Sequence, residues 1–425
     1  MESRVVVTGL GICAPNGIGL EAFAESLHKG RSGIRFQPEL EVFKFSCQIG
    51  GKPLLTTDIV NRYFTELQQR GLNSSGLVYG VIAGTDAWRD AGLYPAEREV
   101  AHWDSGIIFG TGILGVDKFR EAIQLIDEGR VRRLGSTSVL QTMASGISAY
   151  LAGILGCGNQ VTTNSSACAT GTEGILMAYE RIRSGRAHKI LTGSCSDSGP
   201  YVWGGFDAMR ILPTVYNHDP ESGSRPMSAT AAGFVPGSGA GAMVLESLES
   251  ARARGARIYA EVLGGNINSG GQRGDGSMTA PNSEGVIRCL EGAMINAGIQ
   301  KGEVDTINGH LTATGKDSLE IQNWCRALER KGEDFPYINS FKGQMGHCLA
   351  AAGSMESVAA ILQFRDGKVF GNVNCGDLHP EIAALVASEK IPQKISDHRP
   401  KILAKASFGF GDVNACVIFK EYNEN

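Results

Sequence analysis

A chain of 425 residues with 42% apolar content can bury a sizeable core, and at roughly 100 to 200 residues per domain it divides into two or three domains. Its 40 Lys plus Arg against 44 Asp plus Glu give a formal charge of −4 with no block of like charge, which excludes a charged tail and bulk nucleic-acid binding. No run of 18 apolar residues occurs, which excludes a helical membrane span, and Met1-Glu2-Ser3-Arg4 passes straight into Val5–Val7 without a basic leader, so a cytoplasmic location is expected.

In chain order, RVVVTGL (4–10) reads as a strand, followed by helices over 19–30 and 76–91. A strand at 105–112, a helix at 115–129, a strand at 159–165, a helix at 171–184 and strands at 189–195 and 241–247 follow. After ESLESARARGAR (246–257) a similar set begins: strand 258–265, helix 283–298, strand 305–310, helix 317–331, strand 337–342, helix 353–366 and strand 401–409. Strands flanked by helices of this length predict an α/β protein of two related halves, 1–255 and 256–425, although no strong internal repeat joins them. The 57 glycines gather in short runs, GTGILG (110–115), GFVPGSGAG (233–241) and SFGFGD (407–412), which read as tight turns and close backbone approaches.

The ten cysteines contain no C-x-x-C pair, so neither a zinc nor a redox motif is present and no disulfide is expected in a reducing compartment. Most read as small buried hydrophobes. Cys168, in NSSACATGTEG, differs: it lies where a strand gives way to a helix and its neighbours Ser165, Ser166, Ala167, Ala169 and Gly171 are small. A helix N-terminus favours a thiolate, so its pKa is expected below the usual value near 8.5, and the free N–H groups there suit an oxyanion. A cysteine nucleophile needs a base. His310 in DTINGHLTATGKD and His347 in NSFKGQMGHCLAAAG each follow a strand, at the end where open α/β sheets bind ligands. Lys342 and Glu356 flank His347 and suit a partly buried ion pair.

These motifs together resemble the β-ketoacyl-acyl carrier protein synthases, the elongating, decarboxylating branch of the thiolase superfamily. RVVVTGLGICAPNGIGLEAF, GTGILG, SSACATGT, GFVPGSGAGAMVLE, MTAP, NGHLTAT, NSFKGQMGHCLAAAG and SFGFGDVNA occur in the family's order over essentially the whole chain. The resemblance implies a thiolase-like fold layered αβαβα, with Cys168 as acyl-bearing nucleophile, His310 and His347 acting on the extender unit, and Lys342 with Glu356 as their structural ion pair. It implies that Phe410 is the gating aromatic whose N–H joins that of Cys168 in the oxyanion hole. Ile113 and Leu114 fall at the acyl pocket near a dimer interface, and Thr279, Thr312, Thr314 and Phe408 at the substrate.

The implied reaction is decarboxylative condensation of an acyl thioester with a malonyl thioester, in fatty-acid or specialised polyene or polyketide synthesis, without cofactor or metal. The implied partners are an acyl carrier protein and a second subunit, either a copy of the chain or a chain-length-factor-like one. A Cys-His acyltransferase or hydrolase and a non-catalytic partner subunit are the competing readings; the first has no need of His347, and retention of Cys168 argues against the second. Four departures from the family pattern stand out: Leu311 where glycine follows the first histidine, the uncharged run 227–232, Ser238 in the Gly-rich turn, and Leu114 where glycine is common.

Overall fold

The computed structural model describes residues 2–423. One eleven-stranded sheet runs through the molecule, and apart from the short strand Gly17–Ile18 paired to the first its strands are β1 (Val5–Ala14), β2 (Ser105–Thr111), β3 (Val161–Thr162), β4 (Lys189–Ser196), β5 (Gly239–Ser247), β6 (Ala260–Ser269), β7 (Thr306–Asn308), β8 (Tyr337–Asn339), β9 (Ile402–Gly409) and β10 (Val413–Glu421). Their spatial order is β8-β7-β9-β10-β6-β1-β5-β4-β2-β3. Within each half the strands stand in the order first, fifth, fourth, second, third. Both halves pair antiparallel, antiparallel, parallel, parallel along that order. The related halves read from the sequence are therefore repeated in topology, and three residue pairs between β1 and β6 (Val5–Val7 with Ala260–Val262) join them into one sheet.

The longer helices of the first half are α1 (Leu20–His28), α2 (Ser75–Asp90), α3 (Val116–Asp127), α4 (Gly146–Leu155), α5 (Thr170–Arg183) and α6 (Pro200–Ala208). Those of the second are α7 (Ser283–Ala297), α8 (Asp317–Leu328) and α9 (Ala352–Asp366). Most strand residues are buried on both faces, which is why the strands read as near-continuous apolar runs. One face packs on α2 and α4 in the first half, and on α7 and α8 in the second. The opposite faces enclose a central cluster supplied by α5 and α9. The layers are helix, sheet, helix, sheet, helix. Every residue of α9 from Ala352 to Phe364 is buried, as a helix between two sheets must be.

The two central helices touch at their second residues. A Cβ on Gly171 would stand 2.3 Å from the Ser354 nitrogen, and one on Gly353 2.6 Å from the Thr172 nitrogen. Glycine is required there because any side chain would push the helix starts apart. Since α5 begins two residues after Cys168 and α9 five residues after His347, this crossing sets the distance between their loops.

The sequence reading omitted β10, α4 and α6, and the strand foreseen over 159–165 shortens to Val161–Thr162. No helix among the described residues is long and apolar enough to cross a membrane. All ten cysteines are free, and Cys168 is the one not fully buried.

Candidate active site

Three loops at the strand ends converge. The turn before α5 carries Cys168, the segment after β7 carries His310, and the segment after β8 carries His347. The sulfur and one nitrogen from each ring lie within 4.8 Å of one another. The rings meet edge to face, centroids 5.3 Å apart. Both are buried, and Phe408 and Phe234 close over them with centroids 6.0 Å from His310 and 5.2 Å from His347.

Each of these three loops, and the turn that carries Phe410, is bent through a residue in the left-handed region. Ala167 (φ 47°) precedes Cys168, Leu311 (φ 20°) follows His310, Leu349 (φ 52°) lies two residues past His347, and Asp412 (φ 62°) two past Phe410. Non-glycine residues hold such angles only where surrounding contacts impose them, and strain of this kind gathers at functional sites. Leu311 shows how. Its side chain is fully buried in the second-half core, and its backbone is clamped from α8. Glu320 accepts from the N–H groups of His310 and Leu311 at 2.7 Å each, and Asp317 from those of Thr312 at 2.8 Å and Ala313 at 3.1 Å. Two carboxylates thus collect four consecutive donors. Burial raises both acids above their ordinary values, Glu320 to about 7, against the lowering effect of those N–H bonds.

His347 has a defined tautomer. Its Nδ1 accepts the Leu349 N–H at 3.1 Å, so the proton of the neutral ring sits on Nε2, free to donate. Its backbone is fixed by the glycine-rich run 233–241: its N–H donates to the Val235 carbonyl at 2.7 Å and its carbonyl accepts from Gly237 at 2.8 Å. Burial, reinforced by Lys342 and Lys405, drives its pKa well below the ordinary value, and burial with Lys342, His347 and Lys405 does the same to His310. Both rings are neutral near pH 7.

Cys168 departs from the sequence expectation. Burial pushes its thiol up to about 11, outweighing the pull of Lys342 and of the backbone N–H groups of Phe410 and Cys168 itself. The helix terminus does not win because α5 starts two residues later and aromatic and aliphatic groups enclose the sulfur. The same two N–H groups nonetheless lie against the sulfur, where an oxyanion hole is needed.

Lys342 and Glu356, read as a partly buried pair, are wholly buried and in contact, and Lys342 Nζ also donates to the His310 carbonyl at 2.6 Å. A cavity of about 540 Å³ opens on the sulfur, and Ile113, Thr279, Thr312, Thr314, Phe408 and Phe410 all line it. Leu114 does not: it is buried in the first-half core, with its side chain against Gly146. Ser238 is buried and donates to the Gly51 carbonyl, and the run 227–232 is tied by Ser228 and Thr230 to Asp377.

The sequence reading missed Asp317, Glu320 and Lys405. The first two stand i, i+3 at a helix start just after His310, and the third is a lysine inside a strand buried on both faces. Cys168, His310 and His347 are the one group among the described residues whose donor atoms converge closely enough to grip a cation. Lys342 and Lys405, both buried beside it, oppose a positive ion there.

Family models described as "Beta-ketoacyl synthase, N-terminal domain" and "Beta-ketoacyl synthase, C-terminal domain" match residues 2–251 and 259–376. The chain belongs to the β-ketoacyl synthase family. This synthase is 32% identical over 425 residues to the chloroplastic 3-oxoacyl-[acyl-carrier-protein] synthase I of Arabidopsis thaliana, covering 99% of this chain and 87% of that one. It is 32% identical to 3-oxoacyl-[acyl-carrier-protein] synthase 1 of Escherichia coli strain K12, covering 99% and 100%. Among solved structures, the ishigamide ketosynthase/chain length factor superposes with a TM-score of 0.87 at 26% identity over 100% of both chains. A type II polyketide ketosynthase bound to its acyl-carrier protein and a hexaketide superposes with a TM-score of 0.86 at 27% identity, again over 100% of both chains. The fold is the thiolase-like ketosynthase fold, and ketosynthase condensation is the synthase's reaction class.

Proposed function

We propose that the chain is a 3-oxoacyl-acyl carrier protein synthase in which Cys168, His310 and His347 perform the condensation. The observation that carries this is the convergence of one cavity-lining thiol and two neutral imidazoles within 4.8 Å. The Cys168 sulfur attacks an acyl thioester, the bond from the acyl carbon to the carrier sulfur breaks, and the thiol proton leaves on the departing carrier thiol. A malonyl thioester then enters and its C–CO₂ bond breaks. The electron pair remains as an enolate whose oxygen faces Nε2–H of His347 and the ring of His310. The enolate carbon attacks the acyl carbon while the N–H groups of Cys168 and Phe410 hold the oxyanion. The C–S bond breaks, Cys168 recovers a proton, and a β-ketoacyl thioester two carbons longer departs.

Lys342 and Glu356 brace the His310 loop, Ile113 and Phe408 bound the acyl chain, and Thr279, Thr312 and Thr314 meet the extender's carrier arm. An acyl carrier protein delivers both substrates, a reading supported by the structural neighbour solved in complex with its own carrier protein. The partner subunit is a second copy or a chain-length-factor-like chain, covering the exposed stripe Phe119, Ile123 and Ile126 beside Ile113 and the edge strand β3. The uncharged run 227–232, Ser238 and Leu311, where the chain departs from the family pattern, favour a specialised acyl substrate.

The test is intact-mass analysis with a panel of saturated, unsaturated and aryl acyl carrier thioesters, followed by malonyl-carrier addition. Cys168→Ala abolishes acylation; His347→Ala acylates but does not condense. A His347 variant that condenses at the wild-type rate defeats the mechanism, and wild type that acylates Cys168 but never condenses favours a Cys-His acyltransferase.

A further inference from the structure

Lys405 takes no part in the steps above, yet its side chain is fully buried behind them. Its ammonium lies 2.8 Å from Glu356 Oε2, an ion pair by distance although the approach is off-axis for a hydrogen bond. It donates to Ser407 Oγ at 3.1 Å and to the Ala406 carbonyl. Ser407 Oγ in turn meets Thr172 Oγ1 at 2.9 Å, on the helix that starts just past Cys168. On the other side Glu356 Oε1 binds Lys342, which holds the His310 carbonyl. One buried polar chain therefore runs Thr172, Ser407, Lys405, Glu356, Lys342, His310, linking the nucleophile's helix to the first histidine's loop.

The charge count in that chain is uneven. Lys342 and Glu356 alone would be neutral, and a second buried ammonium leaves an excess of one positive charge. Burial opposes that charge on Lys405, so its cost has to be met by contacts that the folded resting state only partly provides. Condensation supplies the missing negative charge, first on the enolate and then on the tetrahedral oxyanion. The excess also acts on the imidazoles. The groups facing them are Lys342 and Glu356 from beside β8 and on α9, Lys405 from β9, Glu320 from α8, and Cys168 from the nucleophile loop. Glu356 is spent between two lysines, and Glu320 on two N–H groups. Protonating His347 would place a hydrogen on Nδ1 against the Leu349 N–H and remove the bond that orients the ring.

We propose that Lys405 is a positioning residue for condensation, whose charge disfavours a second positive charge on either imidazole and so keeps His347 anchored as an Nε2–H donor. The proposal rests on the Cys168, His310 and His347 reading. Lys405→Met removes the charge at nearly constant length, and Lys405→Gln does so with a polar tip should the methionine variant not fold. Acylation of Cys168 and condensation are each followed across pH 5 to 9, using the acyl thioester that the panel selects and malonyl-carrier thioester.

Loss of the ammonium raises the pH at which the histidines protonate. The acid limb of condensation therefore moves up by about one pH unit, the scale of one charge across a few ångström of protein interior. Acylation stays within about threefold of wild type. Superimposable acid limbs in wild type and a folded variant overturn the proposal, as does a parallel fall in acylation and condensation. Wild type that fails to condense at all sinks the underlying reading, whereas wild-type condensation with an unmoved limb sinks only the role of Lys405.

Discussion

Glu320→Gln is expected to stabilise the protein at alkaline pH and to disable it. The carboxylate accepts from two N–H groups at 2.7 Å, a task that a glutamine with one acceptor oxygen can only half perform. Yet burial lifts Glu320 from an ordinary value of 4.5 to about 7, so the ionised form is the unfavourable one. A carboxyl with a raised folded pKa contributes stability that is present below its unfolded value and lost as pH rises through the folded one. At about 1.4 kcal/mol for each pH unit of that rise, wild type loses on the order of 3 kcal/mol between pH 4.5 and 8. The glutamine variant, neutral throughout, escapes that loss. Its stability should match wild type within about 1 kcal/mol at pH 5 and exceed it by up to about 3 kcal/mol at pH 8. Activity should move the other way. With one N–H of the clamp unmet, the left-handed angle at Leu311 relaxes and His310 shifts, and a displacement of about 1 Å can cost on the order of 100-fold in rate. Condensation should fall about 10- to 100-fold while acylation of Cys168 changes little. Denaturant melts at the two pH values and product formation by mass spectrometry read both halves. A variant that condenses at the wild-type rate, or whose stability shows the same pH slope as wild type, refutes the reasoning.

Alkylation of Cys168 by iodoacetamide should be slow at pH 7 and rise about tenfold per pH unit up to pH 10, since its thiol titrates near 11; a plateau below pH 9 contradicts the burial argument. Gly171→Ala should damage fold and site together, because its Cβ meets the Ser354 backbone at 2.3 Å; the variant should lose several degrees in Tm and acylate poorly, and a normal melt with normal acylation would show that the helices can part. Met355→Ala, fully buried between the half-sheets, should lower stability by about 2 to 5 kcal/mol with the reaction profile unchanged, as measured by denaturant titration.

Much of this architecture was legible because its strands are β-branched runs punctuated by glycine, and the seven long helices foreseen all formed. What stayed hidden has physical causes. β10 follows β9 after the short Phe410–Asp412 turn, so its Asn-Ala-Cys-Val-Ile-Phe run merged with the glycine motif and, buried on both faces, showed no two-residue alternation. α4 and α6 contain glycines that weaken a helical signal; packing on the sheet decides α4, and burial of Trp203 against Gly50 holds α6. The thiol of Cys168 was misjudged because a helix N-terminus is a local feature, whereas enclosure by Phe408, Phe410 and the second half is not. Leu311 looked like a break in pattern. Its meaning needed Asp317, Glu320 and a core pocket, none of which adjoins it along the chain.

The repeated strand order has a consequence for how the site could be divided or moved. Cys168 follows the third strand of the first half and His347 the third strand of the second, so the two residues occupy related stations that carry different chemistry. Nucleophile and proton donors belong to opposite halves of a molecule that is, in effect, a pair of unlike partners fused by one linker. Neither half expressed alone would hold a complete set, and the halves meet both along β1 and β6 and at the glycine contact between α5 and α9. A chain nicked near residue 255 should therefore keep its activity as long as that contact holds, and lose it all at once when the halves separate.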